Sequence, residues 1–184
     1  MAIKLSGSGI NEPRGRVNSY GVAAGHAGKL AIGDFVALTG TANATTGVAE
    51  VDIGVAGSPL LGQIAGFVPD FSTENFTDAG GLAASTAGTA FVLDDPRAEY
   101  IADVSNGPLL VADVGLNVNL LATVATQSGG LTISNMNVNA TGVATTNTLN
   151  FQVLALLPDD AGVLGNRALV RLNSTQMITG AAGV

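Results

Sequence analysis

The chain has no cysteine and no tryptophan, a single histidine and few charged residues, and each shortage removes a class of function. Without cysteine there are no disulfides and no thiolate ligands for a metal, so folding needs no oxidising compartment. One imidazole, His26 in Gly25-His26-Ala27-Gly28-Lys29, is a poor basis for a metal site or a catalytic triad. No Gly-x-Ser-x-Gly elbow is present to raise a serine nucleophile. Gly28-Lys29 imitates the end of a phosphate-binding loop, but Ala23 stands where its first glycine belongs and Leu30 where Ser or Thr must follow the lysine. Acidic pairs do occur, in Asp94-Asp95-Pro96 and Pro158-Asp159-Asp160. Each abuts a proline, so turn formation with the carboxylate accepting local backbone N–H groups accounts for them. No reactive cluster, metal site or cofactor site is expected, and the chain reads as non-enzymatic.

Charged residues make up 11% of the chain, against about 25% in an average soluble domain. The surface must therefore be built largely from Ser, Thr, Asn, Gly and Ala, which shed water cheaply and suit packing against other subunits. The formal net charge is −7, which disfavours nucleic acid as a partner. The sign is uneven: Lys4, Arg14, Arg16 and Lys29 oppose only Glu12 near the start, ahead of an acidic body. No run approaches the roughly 18 apolar residues of a membrane span, and residues 1–9 lack the apolar core of a secretory signal.

What is present is β patterning. Residues 1–28 are punctuated by Gly7, Gly9, Pro13, Gly15, Gly21, Gly25 and Gly28 and read as an extended N-terminal arm. A single β domain is expected over 29–184. Val48-Ala49-Glu50-Val51-Asp52-Ile53 alternates with period two, the mark of a half-buried strand. Strands are also expected at 35–39, 60–68, 89–93, 100–104, 109–112, 118–125, 131–133, 148–156 and 168–172. Gly62 and Gly66 mark bulges or close backbone approaches. Residues 69–88 read as a long exposed excursion carrying Phe71 and Phe76, and the Thr/Asn-rich tract 135–147 as an edge strand or ordered loop. No long amphipathic helix and no internal repeat of fixed period is visible. The expected class is all-β: an antiparallel sandwich, jelly-roll-like, or a barrel.

The order of segments carries a resemblance. Val92-Leu93-Asp94-Asp95-Pro96, Glu99-Tyr100-Ile101-Ala102-Asp103-Val104, Ala112-Asp113-Val114-Gly115-Leu116-Asn117-Val118, Leu149-Asn150-Phe151-Gln152-Val153-Leu154 and Asn166-Arg167-Ala168-Leu169-Val170-Arg171-Leu172 follow one another. Together with Gly33-Asp34-Phe35-Val36-Ala37-Leu38 and Leu61-Gly62-Gln63-Ile64-Ala65-Gly66-Phe67, this order resembles the capsid decoration, or cement, proteins of tailed bacteriophages. The resemblance implies a mainly β protein on the virion capsid surface, assembled in the host bacterial cytoplasm. Its implied partners are the major capsid protein, whose neighbouring subunits it would bridge, and itself, as homodimer or homotrimer. Tyr100 stands where such proteins commonly carry Phe. From their charge and aromaticity, Lys4, Arg14, Arg16, Phe71 and Phe76 are the candidate capsid or self-association residues. A carbohydrate-binding or adhesin-like β-sandwich module is the competing reading. Such modules usually display Trp or Tyr platforms, and this chain offers only Tyr20 and Tyr100.

Overall fold

The structure is a computed structural model that describes residues 16–68 and 80–177. It is all-β, as the patterning requires. In chain order the strands are β1 (Val17–Val22), β2 (Leu30–Ala31), β3 (Phe35–Ala42), β4 (Ala49–Ile53), β5 (Gly62–Phe67), β6 (Gly81–Leu82) and β7 (Gly88–Leu93). They continue with β8 (Glu99–Ser105), β9 (Asn117–Leu121), β10 (Thr126–Ser128), β11 (Leu131–Ile133), β12 (Asn137–Ala144), β13 (Phe151–Pro158) and β14 (Leu164–Leu172).

Of the architectures left open by the sequence, the chain adopts the barrel, and it does so twice. One closed barrel runs β1-β4-β3-β5-β7 and the other β12-β8-β14-β13-β9. Closure pairs every strand on both sides, which removes the exposed edges that invite aggregation. Two small ribbons, β2-β6 and β10-β11, accompany the barrels.

Several expectations are corrected. Residues 17–22, assigned to the arm, form β1, paired in antiparallel register with β7 from Val17 opposite Leu93 to Val22 opposite Gly88. Gly21 does not break this strand, because it sits against the Glu50 side chain of the neighbouring β4, where bulk is unwelcome. Residues 109–112 are not a strand. The Asp113 carboxylate accepts the Leu110 N–H at 2.7 Å and winds Val111–Asp113 into a single 3₁₀ turn. The Thr/Asn tract is mostly β12, paired with β8 on one side and β9 on the other, so it is a strand within the ring, neither at an edge nor a loop. Gly62 is a close approach, since a Cβ there would collide with the Leu93 carbonyl. The bulge falls at Ala65, between Ile64 and Gly66. The expected excursion is shorter at its end than the sequence suggests, because β6 and β7 already occupy 81–82 and 88–93; residues 69–79 lie outside the described residues.

Alternation puts Val22, Val36, Val51, Ile64, Ala90 and Val92 inside the first barrel. The second barrel's interior, with Val118, Leu120, Val138, Val153, Ala168 and Val170, is continuous with a joint between the barrels. There Phe35 of the first barrel meets Tyr100 and Phe151 of the second edge-on, with ring centroids 5.0 and 4.9 Å away. Leu60 and Leu93 complete the apolar contact from the first barrel's side.

At the same joint lies Asn150, fully buried and fully used. Its amide nitrogen donates to the carbonyls of Ser58 at 2.7 Å and Val55 at 3.3 Å. Its amide oxygen accepts the N–H groups of Gly57 and Leu120, both at 3.0 Å. A side chain of the second barrel thus holds a loop of the first. Asn150→Ala would strand the buried Leu120 N–H, take a partner from three partly buried groups of the 55–58 loop and is expected to cost about 3 kcal/mol. By contrast, the buried Tyr100 hydroxyl has no hydrogen-bond partner. Tyr100→Phe should therefore leave stability unchanged or raise it by up to about 1 kcal/mol. Urea unfolding of the two variants checks both, and a destabilised Tyr100→Phe would reveal a partner for the hydroxyl.

Candidate functional site

The polar groups that suggest chemistry are, in the folded chain, occupied by structure. Asp94 ends the strand region of β7 and is completely buried. Its Oδ1 accepts Arg16 Nε at 3.0 Å, and its Oδ2 accepts Arg16 Nη2 at 3.2 Å, Asn18 Nδ2 at 2.8 Å and the Tyr20 hydroxyl at 2.6 Å. Three donors from the start of β1 therefore converge on one carboxylate at the end of β7. Burial pushes the Asp94 carboxyl up, but hydrogen bonds from Arg16, Tyr20 and Asn18 outweigh it and hold it below the usual range. Burial, with the bond to Asp94, pushes the Tyr20 phenol up to about 12. Arg16, a candidate partner-facing residue, is tied two-fold to its own Asp94, and half of its side chain remains exposed.

His26 is buried, with Nδ1 2.7 Å from the Gly28 carbonyl and Nε2 3.0 Å from the Thr86 carbonyl. The ring fills the space between these two carbonyls, with an N–H donating to one of them according to the tautomer, and so packs the 23–28 turn against the segment before β7. Asp159 closes its own turn: it accepts Ala161 and Val163 N–H at 2.9 and 2.8 Å and the Asn166 amide at 2.8 Å. The Asn166 bond, with these backbone bonds, holds its carboxyl low. Asp95 likewise caps a turn through Arg97 N–H at 2.9 Å. Asp160 pairs with Arg167, which also reaches Asp103. Among the described residues no three His, Asp or Glu side chains are grouped to hold a metal ion. Asp34 is fully buried, and burial raises its carboxyl against hydrogen bonding from Ser134 and the Ala31 N–H.

What the surface does offer is apolar. The Leu109 N–H donates to the Gly165 carbonyl at 3.0 Å, bringing the 3₁₀ turn beside the start of β14. Leu110, Val111, Val114, Val163 and Leu164 are all exposed there, Val111 at 74%. The sequence reading missed this face because it placed 109–112 in a strand and so expected half of its side chains to be covered. Of the residues proposed from sequence, Lys4, Arg14, Phe71 and Phe76 lie outside the described residues. Neither tyrosine stands out as a ring platform, since Tyr100 is buried and Tyr20 is half-buried against the first barrel's core with its hydroxyl on Asp94. No helix among the described residues is long and apolar enough to cross a membrane. No family model, curated protein or solved structure matches the chain.

The two buried carboxylates act on stability in opposite senses. Asp94, held low, contributes stability present above the unfolded carboxylate range near pH ~4 and lost as pH falls through its folded value. Asp34, held high, penalises folding above that range, and the penalty fades on acidification. Asp94→Asn should thus lower the unfolding midpoint near neutrality, with the difference from the parent narrowing in acid. Asp34→Asn should raise the midpoint near neutrality and match the parent below about pH 4. Thermal unfolding across this range tests the pair. Parallel curves for parent and variants would contradict the assignment.

Proposed function

We propose that the chain is a structural virion protein that attaches to the outside of an icosahedral phage capsid and cements neighbouring major capsid subunits. The observation that carries this reading is the contrast between polar and apolar groups. The buried Asp94 and His26 and the turn carboxylates are engaged by the chain itself, while Leu110, Val111, Val114, Val163 and Leu164 stand free on a thinly charged exterior. An apolar patch of this kind on a body poor in charge fits adhesion to another protein. Repetition by shell symmetry converts modest contacts per copy into lasting attachment. The absence of a presented tyrosine ring weighs against the carbohydrate-binding alternative.

Shells prepared without the protein should bind it when it is added back, and filled particles lacking it should release DNA at a lower temperature. Val111→Glu with Leu164→Glu should reduce attachment at least tenfold, read by co-sedimentation, while leaving the unfolding midpoint of the free protein in place. Unchanged attachment would remove this face from the interface. Equal thermal stability of particles with and without the protein would remove the cementing role.

A further inference from the structure

The two barrels have one and the same connectivity. Taken in chain order, β1, β3, β4, β5 and β7 correspond to β8, β9, β12, β13 and β14. The ring β1-β4-β3-β5-β7 then becomes, strand for strand, β8-β12-β9-β13-β14. Each ring has a single parallel pair, in both cases its first strand with its third: β1 with β4 and β8 with β12. All other pairs in both rings are antiparallel.

The correspondence extends to register. In the first barrel Gln63 faces Leu93 and Ile64 faces Val92, a bulge follows, and Gly66 then faces Phe91 and Phe67 faces Ala90. In the second, Gln152 faces Arg171 and Val153 faces Val170, a bulge follows, and Ala155 then faces Leu169 and Leu156 faces Ala168. The same alignment sets Tyr20–Ala90 on Ala102–Ala168, Val36–Gly62 on Val118–Phe151, and Leu38–Val51 on Leu120–Val138. The parallel pairs share one diagonal: Gly21 faces Glu50, and one step further along both strands Val104 faces Val138.

A local device outside the barrel interiors is repeated as well. Gly33, at φ +100°, donates its N–H to the Ile64 carbonyl at 2.9 Å, Ile64 returns its N–H to Asp34 at 2.8 Å, and the Gln63 amide donates to the Gly33 carbonyl at 3.0 Å. Gly115, at φ +90°, donates to Val153 at 2.9 Å, Val153 returns to Leu116 at 2.9 Å, and the Gln152 amide donates to Gly115 at 3.1 Å. In the sequence, Pro69-Asp70 follows Gln63 at the spacing with which Pro158-Asp159 follows Gln152. Barrel closure alone demands apolar residues at inward positions. It does not demand the same parallel pair, the same bulge position, or a glutamine bonded to the carbonyl of a left-handed glycine.

The copies differ where they meet. Phe35 corresponds to Asn117, Leu93 to Arg171, Gly62 to Phe151, Asp94 to Leu172 and Asn18 to Tyr100. One barrel thus gives Phe35 and Leu93 to the joint and the other gives Tyr100, Phe151 and Leu172. In both barrels the contact comes from the region where the fourth strand starts and the fifth ends.

We infer that the chain is a tandem duplication of one five-strand barrel, joined to itself through the barrel's own association surface, so that the partner this surface fits is a second barrel of the same unit. The inference is independent of any capsid role. Two experiments on the full chain test it. In the first, a protease site flanked by flexible residues is inserted after the exposed Arg97, in the turn between the barrels. After cleavage the two pieces should co-elute as one folded 1:1 species and re-form it after unfolding and dilution. Separation of the pieces under native conditions would overturn the association surface. In the second, residues 63–67 and 152–156 are exchanged reciprocally. Because the two segments share register and bulge, the exchanged chain should fold cooperatively with its midpoint lowered by only a few degrees. The same exchange displaced by one residue should not fold, since a one-residue slip turns inward side chains outward. If the in-register exchange failed as completely as the displaced one, the barrels would not be equivalent units and the duplication would be rejected.

Discussion

The joint around Asn150 is the constraint on which the rest of the molecule depends. A five-strand barrel of this size encloses little apolar volume, and small domains bury too small a fraction of their surface to be more than marginally stable. The aromatic contact of Phe35 with Tyr100 and Phe151 turns two thin interiors into one larger core. Apolar contact is tolerant of sliding, and an amide with four fixed partners is not. Asn150 therefore defines how the barrels sit, because only one placement of the 55–58 loop supplies both its donors and its acceptors. The chain after β14 reinforces the joint: the Leu60 N–H donates to the Ser174 carbonyl, the Leu60 carbonyl accepts the Gln176 N–H, and the Leu38 N–H donates to Gln176 Oε1.

Sequence patterning was a good guide where a strand had one wet and one dry face, and a poor one elsewhere. β4 alternates cleanly, and β7, β13 and β14 have β-branched and aliphatic inward positions, so class and approximate strand placement were legible. β1 was hidden because Val17-Asn18-Ser19-Tyr20-Gly21-Val22 turns polar side chains towards Asp94, a partner far away in the chain. β12 is legible only as an edge strand or loop because of its Thr and Asn content, while its pairing is supplied by neighbours on both sides. The face formed by Leu110, Val111 and Leu164 depends on one backbone bond between Leu109 and Gly165, which no local pattern announces.

The repeat has no fixed period for a related reason. Equivalent positions are unevenly separated, closest for Val92 and Val170 and furthest for Ile64 and Val153, because the connections between strands differ in length. Inward residues such as Val, Ile, Leu and Ala are also too common to stand out in one chain. The informative matches are the unusual ones, Gln63 with Gln152 and Gly33 with Gly115, and their meaning appears only once their hydrogen bonds are seen to coincide.

The duplication also clarifies why the two barrels differ in composition. A surface that once faced its own copy must be acceptable on both sides at once; fused in one chain, its two sides can change separately. Phe35 and Leu93 on one side, and Tyr100, Phe151 and Leu172 on the other, are the outcome expected of such release. The positions left outside the contact have become polar: Arg171 bonds Gln152 across β14 and β13, and Asp94 gathers Arg16, Asn18 and Tyr20. A surface that both barrels turn towards each other is used up in the pair, so the contact closes into a two-barrel unit and does not run on into an open fibre. The Arg16–Asp94 network is then better understood as an end cap on the first barrel, and under the proposed function the exposed Leu110, Val111 and Leu164 are the surface that the closed two-barrel unit offers to a different protein.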